Sequence, residues 1–526
     1  MEWNKKSMMN IKIATSTITF AFLLSGCGGG GGGTAAPVAV PKVAAMPTLS
    51  YTPVKGFKFN WTDVSDATSY KILENKNGAS GFSKIGNDIA QGVGTTTQTV
   101  PLHKRVNAQY ILQSCTAGGC IDSAAISVTG TLVDSIGYVK ASNTAKDDYF
   151  GASISLSSDE STLAVGAPGV DNSAIVTDSG AVYIFTRTGS TWTEEDFLKA
   201  GTPGKEAEFG ISVSLSSDGN TLAVGESGRD GSILSQLGAA YIFTRTNSKW
   251  TEKATLTATN RRSNDEFGGS VSLSSDGSAL AVGAINALAS DVNNNLVTGQ
   301  SGAAYIFALN NSNWALEKKI TANYPGNLDQ FGHSVSLNID GTTLAIGAPY
   351  EMGDTPGVGG NSTAQQQNSS PQAGAAYIFK RTGTNWAQQT YVKASKTGPA
   401  LFGWSVSLSS DGKTLAAGAK GEDSNARGVG GDQNDNNATN SGAVYIFSQS
   451  VTAAWSQLAY VKASNTGTGD EFGYSVSLSS DGLSVSLSSD GSTLAVAAPF
   501  EDSNATGIDG KVSDDSASDS GAVYLY

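Results

Sequence analysis

One unit recurs six times along this chain, and that recurrence limits the fold more than any other feature. Phe150, Phe209, Phe267, Phe331, Phe402 and Phe472 are each followed by glycine, at intervals of 59, 58, 64, 71 and 70 residues. After each comes a near-copy of SVSLSSDGSTLAVGAP, a loop of variable length, then SGAVYIF, then a Trp-containing stretch ending near VKAS. A repeat of this size means a solenoid, a propeller or an array. Each copy predicts four strands. Val271 and Leu273 alternate with Ser270, Ser272 and Ser274, the period of a half-buried strand. Ser275-Asp276-Gly277 is a tight-turn signal, because Asp and Gly tolerate left-handed dihedrals. Leu280–Ala284, Ala303–Phe307 and Trp314–Ala322 follow as the second, third and fourth strands. A four-stranded sheet apolar on both faces cannot stand alone. Packing such blades around an axis buries the faces and protects most edges.

The ends of the array point to closure. The last copy stops at Tyr526, one strand short, while an orphan Ile136–Ser142 precedes the first Phe-Gly and matches Leu458–Ser464 of the fifth copy. An exchange of this kind serves a ring and not an open solenoid. The expectation is an all-β chain whose residues 131–526 form a six-bladed propeller closed by strand 136–142.

Phe-Gly followed by Gly166-Ala167-Pro168, Gly347-Ala348-Pro349 or Ala497-Ala498-Pro499 resembles the FG-GAP repeat of integrin α-subunit propellers and their bacterial relatives. The other copies depart in the second half: Gly225-Glu226-Ser227, Gly283-Ala284-Ile285 and Gly418-Ala419-Lys420. Integrin propellers have seven blades, so the resemblance keeps seven as an alternative count. It also implies calcium loops in the first turn, but Ser-Ser-Asp-Gly offers one carboxylate where calcium takes six to eight oxygens. Asp218, Asp276, Asp340, Asp411 and Asp481 are therefore expected to shape turns.

The loops between second and third strands run 12, 11, 17, 25, 22 and 22 residues. Insertions of this kind collect on one face, often the binding face. Four segments there resemble the start of a calcium loop: Asp291 with Asn293, Asp423 with Asn425, Asp432 with Asn434, and Asp502 with Asn504. None has the closing Glu. The expectation is weak calcium binding that stiffens one rim. The recurring Trp192, Trp250, Trp314, Trp386 and Trp455 are expected to pack within blades. Position 333 carries His where other copies have Ala152, Ile211, Gly269, Trp404 and Tyr474, which argues against a shared catalytic residue. Ser475–Leu483 and Ser484–Ser492 are a tandem duplication inside the last copy.

Upstream of the repeats, residues 49–130 alternate over short stretches such as Phe57–Trp61 and Gln109–Gln113, which predicts a β-sandwich. Trp61, Tyr70 and Tyr110 resemble the core aromatics of a fibronectin type III domain. Cys115 and Cys120 flank a four-residue loop and predict a cross-hairpin disulfide.

The amino terminus resembles an address. Lys5, Lys6 and Lys12 precede an apolar run from Ile13 to Leu24 that is too short to span a bilayer. Leu24-Ser25-Gly26-Cys27 resembles a lipobox, which implies a signal peptide over 1–26, acylation of Cys27, and sorting to the bacterial outer membrane. Residues 27–48, with six successive glycines and then Ala, Val and Pro, read as a tether. The net charge is −13, and −15 once residues 1–26 and their net +2 are removed. So acidic a chain excludes a nucleic-acid partner. The expectation is a non-enzymatic adhesion or binding module for a protein or glycan. The alternatives are a propeller-type hydrolase of glycans or lipids, and a periplasmic assembly scaffold.

Overall fold

The computed structural model describes residues 39–526 except 53–55, 77, 101–104, 106–107, 130–140, 144, 160, 189–190, 229–236, 260–261, 263, 291–295, 360–369, 397, 479–493, 499–521 and 526. Cys27, residues 136–140 of the expected closing strand 136–142, Asp291, Asn293, Asp502, Asn504 and the whole second half of the duplication lie outside the described residues; Ala141 is buried and Ser142 donates to Glu194, and neither is in a strand. No helix occurs among those described.

Residues 48–127 form two antiparallel sheets. One carries Thr48–Thr52, Gly56–Asn60 and Thr95–Thr99. The other runs from Ser83–Ala90 through Ser69–Asn75 to Gln109–Thr116, which pairs with both Gly119–Asp122 and Ile126–Ser127. Inward residues of both sheets, Phe57, Phe59, Tyr70, Ile72, Tyr110 and Leu112, share one buried core with Trp61. This is the expected sandwich. Cys115 and Cys120 face each other in register and are joined by a disulfide. Buried Glu74 accepts hydrogen bonds from Arg105 Nε at 2.6 Å and from Tyr110 Oη at 2.9 Å, so its charge is paired where it is desolvated.

The repeats form five four-stranded antiparallel sheets and one three-stranded sheet, each in sequence order. The first strands are Ser153–Leu156, Ser212–Leu215, Phe267–Leu273, Ser334–Leu337, Phe402–Leu408 and Ser475–Leu478. Residues from all six of these line one central cavity of about 220 Å³, so they are the inner strands of a propeller. Among the described residues, the last sheet adds Leu494–Ala498 and Ala522–Leu525. The sheet of Phe267–Leu273 has an unanticipated hairpin in its loop, Leu288–Ser290 with Leu296–Gln300.

Each serine of the repeated SVSLSSDG has a distinct task. The first donates its hydroxyl to the Phe-Gly carbonyl of the next sheet: Ser153 to Gly210 at 2.7 Å, Ser212 to Gly268 at 2.9 Å, Ser270 to Gly332 at 2.9 Å, Ser334 to Gly403 at 3.1 Å and Ser405 to Gly473 at 2.8 Å. The second accepts the next sheet's leucine amide: Ser155 from Leu215, Ser214 from Leu273, Ser272 from Leu337 and Ser336 from Leu408, all at 2.9–3.0 Å. The third binds the turn, as Ser216 Oγ does with Asp218 Oδ1 at 2.6 Å. The fourth bonds by backbone from sheet to sheet, Ser158 to Ser217 and Ser217 to Ser275. Many polar groups at the axis thereby find partners across the sheet interfaces.

The two halves of the repeat signature meet between neighbouring sheets. Gly210, Gly268, Gly332, Gly403 and Gly473 hold φ between 85° and 96°, a left-handed conformation that favours glycine. A Cβ added at Gly166, Gly225, Gly283, Gly347 or Gly418 would lie 1.9–2.0 Å from the carbonyl oxygen of the glycine facing it. The preceding Phe packs edge-on against its own sheet's Tyr and Phe, as Phe331 does on Tyr377 and Phe379 at 5.1 and 6.1 Å.

Candidate functional site on the long-loop face

The inner strand begins just after Phe-Gly. It runs antiparallel to a second strand that ends where the long loop departs. The first residue of each inner strand and the long loops therefore share one face of the ring, and the Asp-Gly turns share the other. On the long-loop face, close to the axis, three consecutive repeats present aromatic rings side by side. His333 and Trp404 have ring centroids 4.3 Å apart, and Trp404 and Tyr474 have theirs 5.7 Å apart. Tyr474 is exposed and the other two are half-buried. His333 Nδ1 lies 2.9 Å from the Trp404 carbonyl oxygen. That oxygen only accepts, so Nδ1 carries a proton, which in a neutral imidazole leaves Nε2 as an acceptor.

Lys420, the first residue of its loop, completes the patch. Its ammonium stands 3.7 Å from the Trp404 ring centroid and 5.0 Å from that of Tyr474, in cation–π geometry, and 2.9 Å from Glu471 Oε2. Glu471 reaches it because the residue before each Phe-Gly is left-handed: Tyr149, Glu208, Glu266, Gln330, Leu401 and Glu471 have φ of 51–57°. For an L-residue this conformation costs roughly 1–2 kcal/mol. Its return is a side chain aimed at the start of a long loop, the previous sheet's for Glu471 and its own sheet's for Glu208 and Glu266. Glu208 accepts from Ser227 Oγ at 2.6 Å, and Glu266 accepts from Asn286 Nδ2 at 3.1 Å.

Beneath the loops lie buried polar clusters. Lys393 donates to Glu351, and Lys462 Nζ donates to Glu422 Oε2 at 2.8 Å; both lysines are at most 1% exposed. Burial lowers the pKa of each lysine against the pull of its glutamate. Asp329, buried beside Glu351, has its pKa pushed up to about 7 by desolvation first and by the Glu351 charge second, despite the 2.6 Å hydrogen bond from Gly326 N. In an earlier repeat, Glu226 is raised by burial and accepts from Tyr241 Oη at 2.6 Å. Perturbed acids mark functional sites when they line a cleft. Asp329 is 3% exposed, so it braces the strands that carry the loops.

The described calcium candidates are occupied otherwise. Asp423 Oδ1 accepts from Asn440 N at 2.8 Å, and Asp432 Oδ1 accepts from Asn434 N at 2.9 Å. Asn425 lies two residues beyond Asp423 in the same loop. The Lys396 ammonium binds Asn436 Oδ1 and approaches the Asp435 carbonyl at 3.4 Å, so the loop holds a cation of its own. No group of three or more His, Cys, Asp or Glu suited to a metal occurs among the described residues. In residues 423–436, Asp423, Asp432 and Asn436 thus each have a partner within the protein. At the opposite face, Asp159, Asp218, Asp276, Asp340 and Asp411 shape turns. Burial pushes their carboxyls up, but hydrogen bonds from the neighbouring hydroxyls or amides and from the following backbone N–H outweigh it and lower them.

Sequence reasoning set aside position 333 because its equivalents differ so widely. The signal was present in the order of the copies: His333, Trp404 and Tyr474 are the fourth, fifth and sixth occupants of one ring position, and adjacent copies become adjacent rings.

The FG-GAP repeat model matches four tandem stretches, residues 137–185, 192–243, 250–307 and 314–379. No curated protein matches significantly. Among solved structures, the chain is similar to the periplasmic gluconolactonase of Pseudomonas aeruginosa, with TM-score 0.41, 13% identity, and 82% of this chain and 90% of that one covered. It is similar to the hydrazine synthase of Kuenenia stuttgartiensis, with TM-score 0.39, 12% identity, and 76% and 88% covered. The WD40 repeats of RRP9 follow, with TM-score 0.31, 11% identity, and 72% and 95% covered. Likeness at this level assigns no activity to the chain.

Proposed function

The chain carries tandem FG-GAP repeats on a propeller, and from that premise we propose that it is a non-enzymatic binding module. Its ligand is a protein or a glycan, and its binding surface is the long-loop face. The observation that carries this reading is the row of His333, Trp404 and Tyr474 on the face from which the long loops depart. Aromatic side chains concentrate at recognition surfaces because they offer large contact area at low conformational cost. Asp329 supports this reading in a second way, since this acid of raised pKa is 3% exposed.

The rest of the proposal follows from the sequence. Six repeats build six blades, with residues 136–142 completing the last. Cys27 carries acyl chains that hold the protein at the outer membrane, the tether 27–48 and the sandwich act as spacers, and the propeller is displayed at the cell surface. Protease treatment of intact cells tests the display. Loss of the propeller from intact cells is the expected result, whereas protection until the outer membrane is opened would favour a periplasmic scaffold.

A further inference from the structure

We infer that the His333–Trp404–Tyr474 row is a carbohydrate subsite that takes neutral hexopyranose units of a glycan chain. The inference rests on the binding-module reading and narrows its ligand.

Charge selects the ligand class first. The Lys420 ammonium already stands over Trp404 and Tyr474, so the cation–π positions on both rings are filled and an incoming amine or guanidinium finds none. Glu471 at 2.9 Å neutralises that ammonium, so the patch has no surplus positive charge to hold an anion. The net charge of −13 opposes polyanions at long range. An uncharged ligand remains. Shape selects next. Three rings in a row, at spacings of 4.3 and 5.7 Å, make a strip rather than a pocket. A strip suits a chain of repeating units better than a compact molecule, which binds where most of its surface is enclosed. A pyranose matches the strip chemically. Its C–H face is flat and apolar and lies against the exposed Tyr474 ring, the Trp404 face being covered by Lys420, while its hydroxyl edge meets polar groups at the border. Here those are the His333 imidazole, with Nε2 as acceptor, the Lys420 ammonium and the Glu471 carboxylate.

The test uses the purified full chain and neutral hexasaccharides of glucose, mannose and galactose in several linkages. Binding is followed by tryptophan fluorescence and saturation-transfer NMR. At least one of them is expected to bind with a Kd in the millimolar range or tighter. Trp404→Ala is expected to weaken it about tenfold or more, equivalent to about 1.4 kcal/mol. Because Trp404 is half-buried, Tyr474→Ala at the exposed end serves as a second variant. It should weaken binding several-fold with an unchanged melting temperature. No binding at millimolar concentration, or equal binding by wild type and both variants, overturns the subsite. A protein ligand held by the loops and indifferent to both variants also overturns the subsite while leaving the binding module intact. Cleavage of a bound hexasaccharide that depends on Trp404 does the reverse: it upholds the subsite and overturns the non-enzymatic reading.

Discussion

The repeated serines show how much a single residue does that its own neighbourhood in sequence does not reveal. Alternation of Ser270, Ser272 and Ser274 with Val271 and Leu273 announces a half-buried strand. That Ser272 accepts from Leu337 N and Ser270 donates to Gly332 O was not legible, because each partner stands more than 60 residues away in the next copy. Glycine at the close approach behaves the same way. Gly347→Ala puts a methyl group where Gly403 O already stands, 1.9 Å from the new Cβ. Urea unfolding should show a loss of about 1–3 kcal/mol. Gly398→Ala, with nothing within 4 Å, should stay within about 0.5 kcal/mol of wild type. The buried acid gives a pH prediction. The pKa of Asp329 rises from its ordinary 3.8 to about 7 on folding. Between those values the native state binds more protons than the unfolded state, so stability falls as pH rises. Asp329→Asn keeps an acceptor for Gly326 N and carries no charge. It should flatten melting temperature against pH over that window and match or exceed wild type above pH 7. A slope unchanged from wild type would contradict the assignment.

At the scale of elements, strands and turns were largely readable and the loops were not. Turn chemistry is local: Asp218 closes its turn on Ser216 and Asn220, two residues to either side. Loop chemistry is not local. The Asp432–Asn436 run looks like the start of a calcium loop because the oxygen spacing is right, but Asn436 is bound by Lys396, 40 residues earlier in the chain. The two segments meet only when the sheets fold. This geometry predicts that a chain titrated with calcium and then with chelator melts at the same temperature in both. A calcium-dependent rise would place a site in the Asp291–Asn293 or Asp502–Asn504 loops, which lie outside the described residues. The aromatic row failed to register for a related reason. Across repeats, variability at one position suggests no common task, yet a ligand touches only some blades, and the task falls to neighbouring copies.

At the scale of the whole molecule, one cavity lined by residues of six inner strands is the mark of a propeller. The sequence offers a further mark of closure. Glu351 and Glu422 pair with Lys393 and Lys462, and in the aligned copies Glu501 and Lys140 hold the corresponding places at opposite ends of the array. Deleting residues 131–146 should therefore lower the propeller's melting temperature by several degrees or more. Deleting one nine-residue half of the 475–492 duplication should not, since the other five copies lack it. An unchanged melting temperature after the first deletion would argue against the ring being completed from its amino-terminal end.

The central claim is that the propeller recognises a ligand with its long-loop face and leaves that ligand intact. The most direct measurement incubates the full chain with a glycan and matrix-protein array and recovers the bound ligand for mass spectrometry. Changes are made to either face: Trp404→Ala with Tyr474→Ala on the loop face, and Asp218→Asn with Asp276→Asn on the turn face. The account predicts a ligand recovered unaltered, with its binding lost or shifted only by changes to the loop face and its loops. A ligand recovered cleaved, or binding abolished only by the turn-face changes, would contradict it.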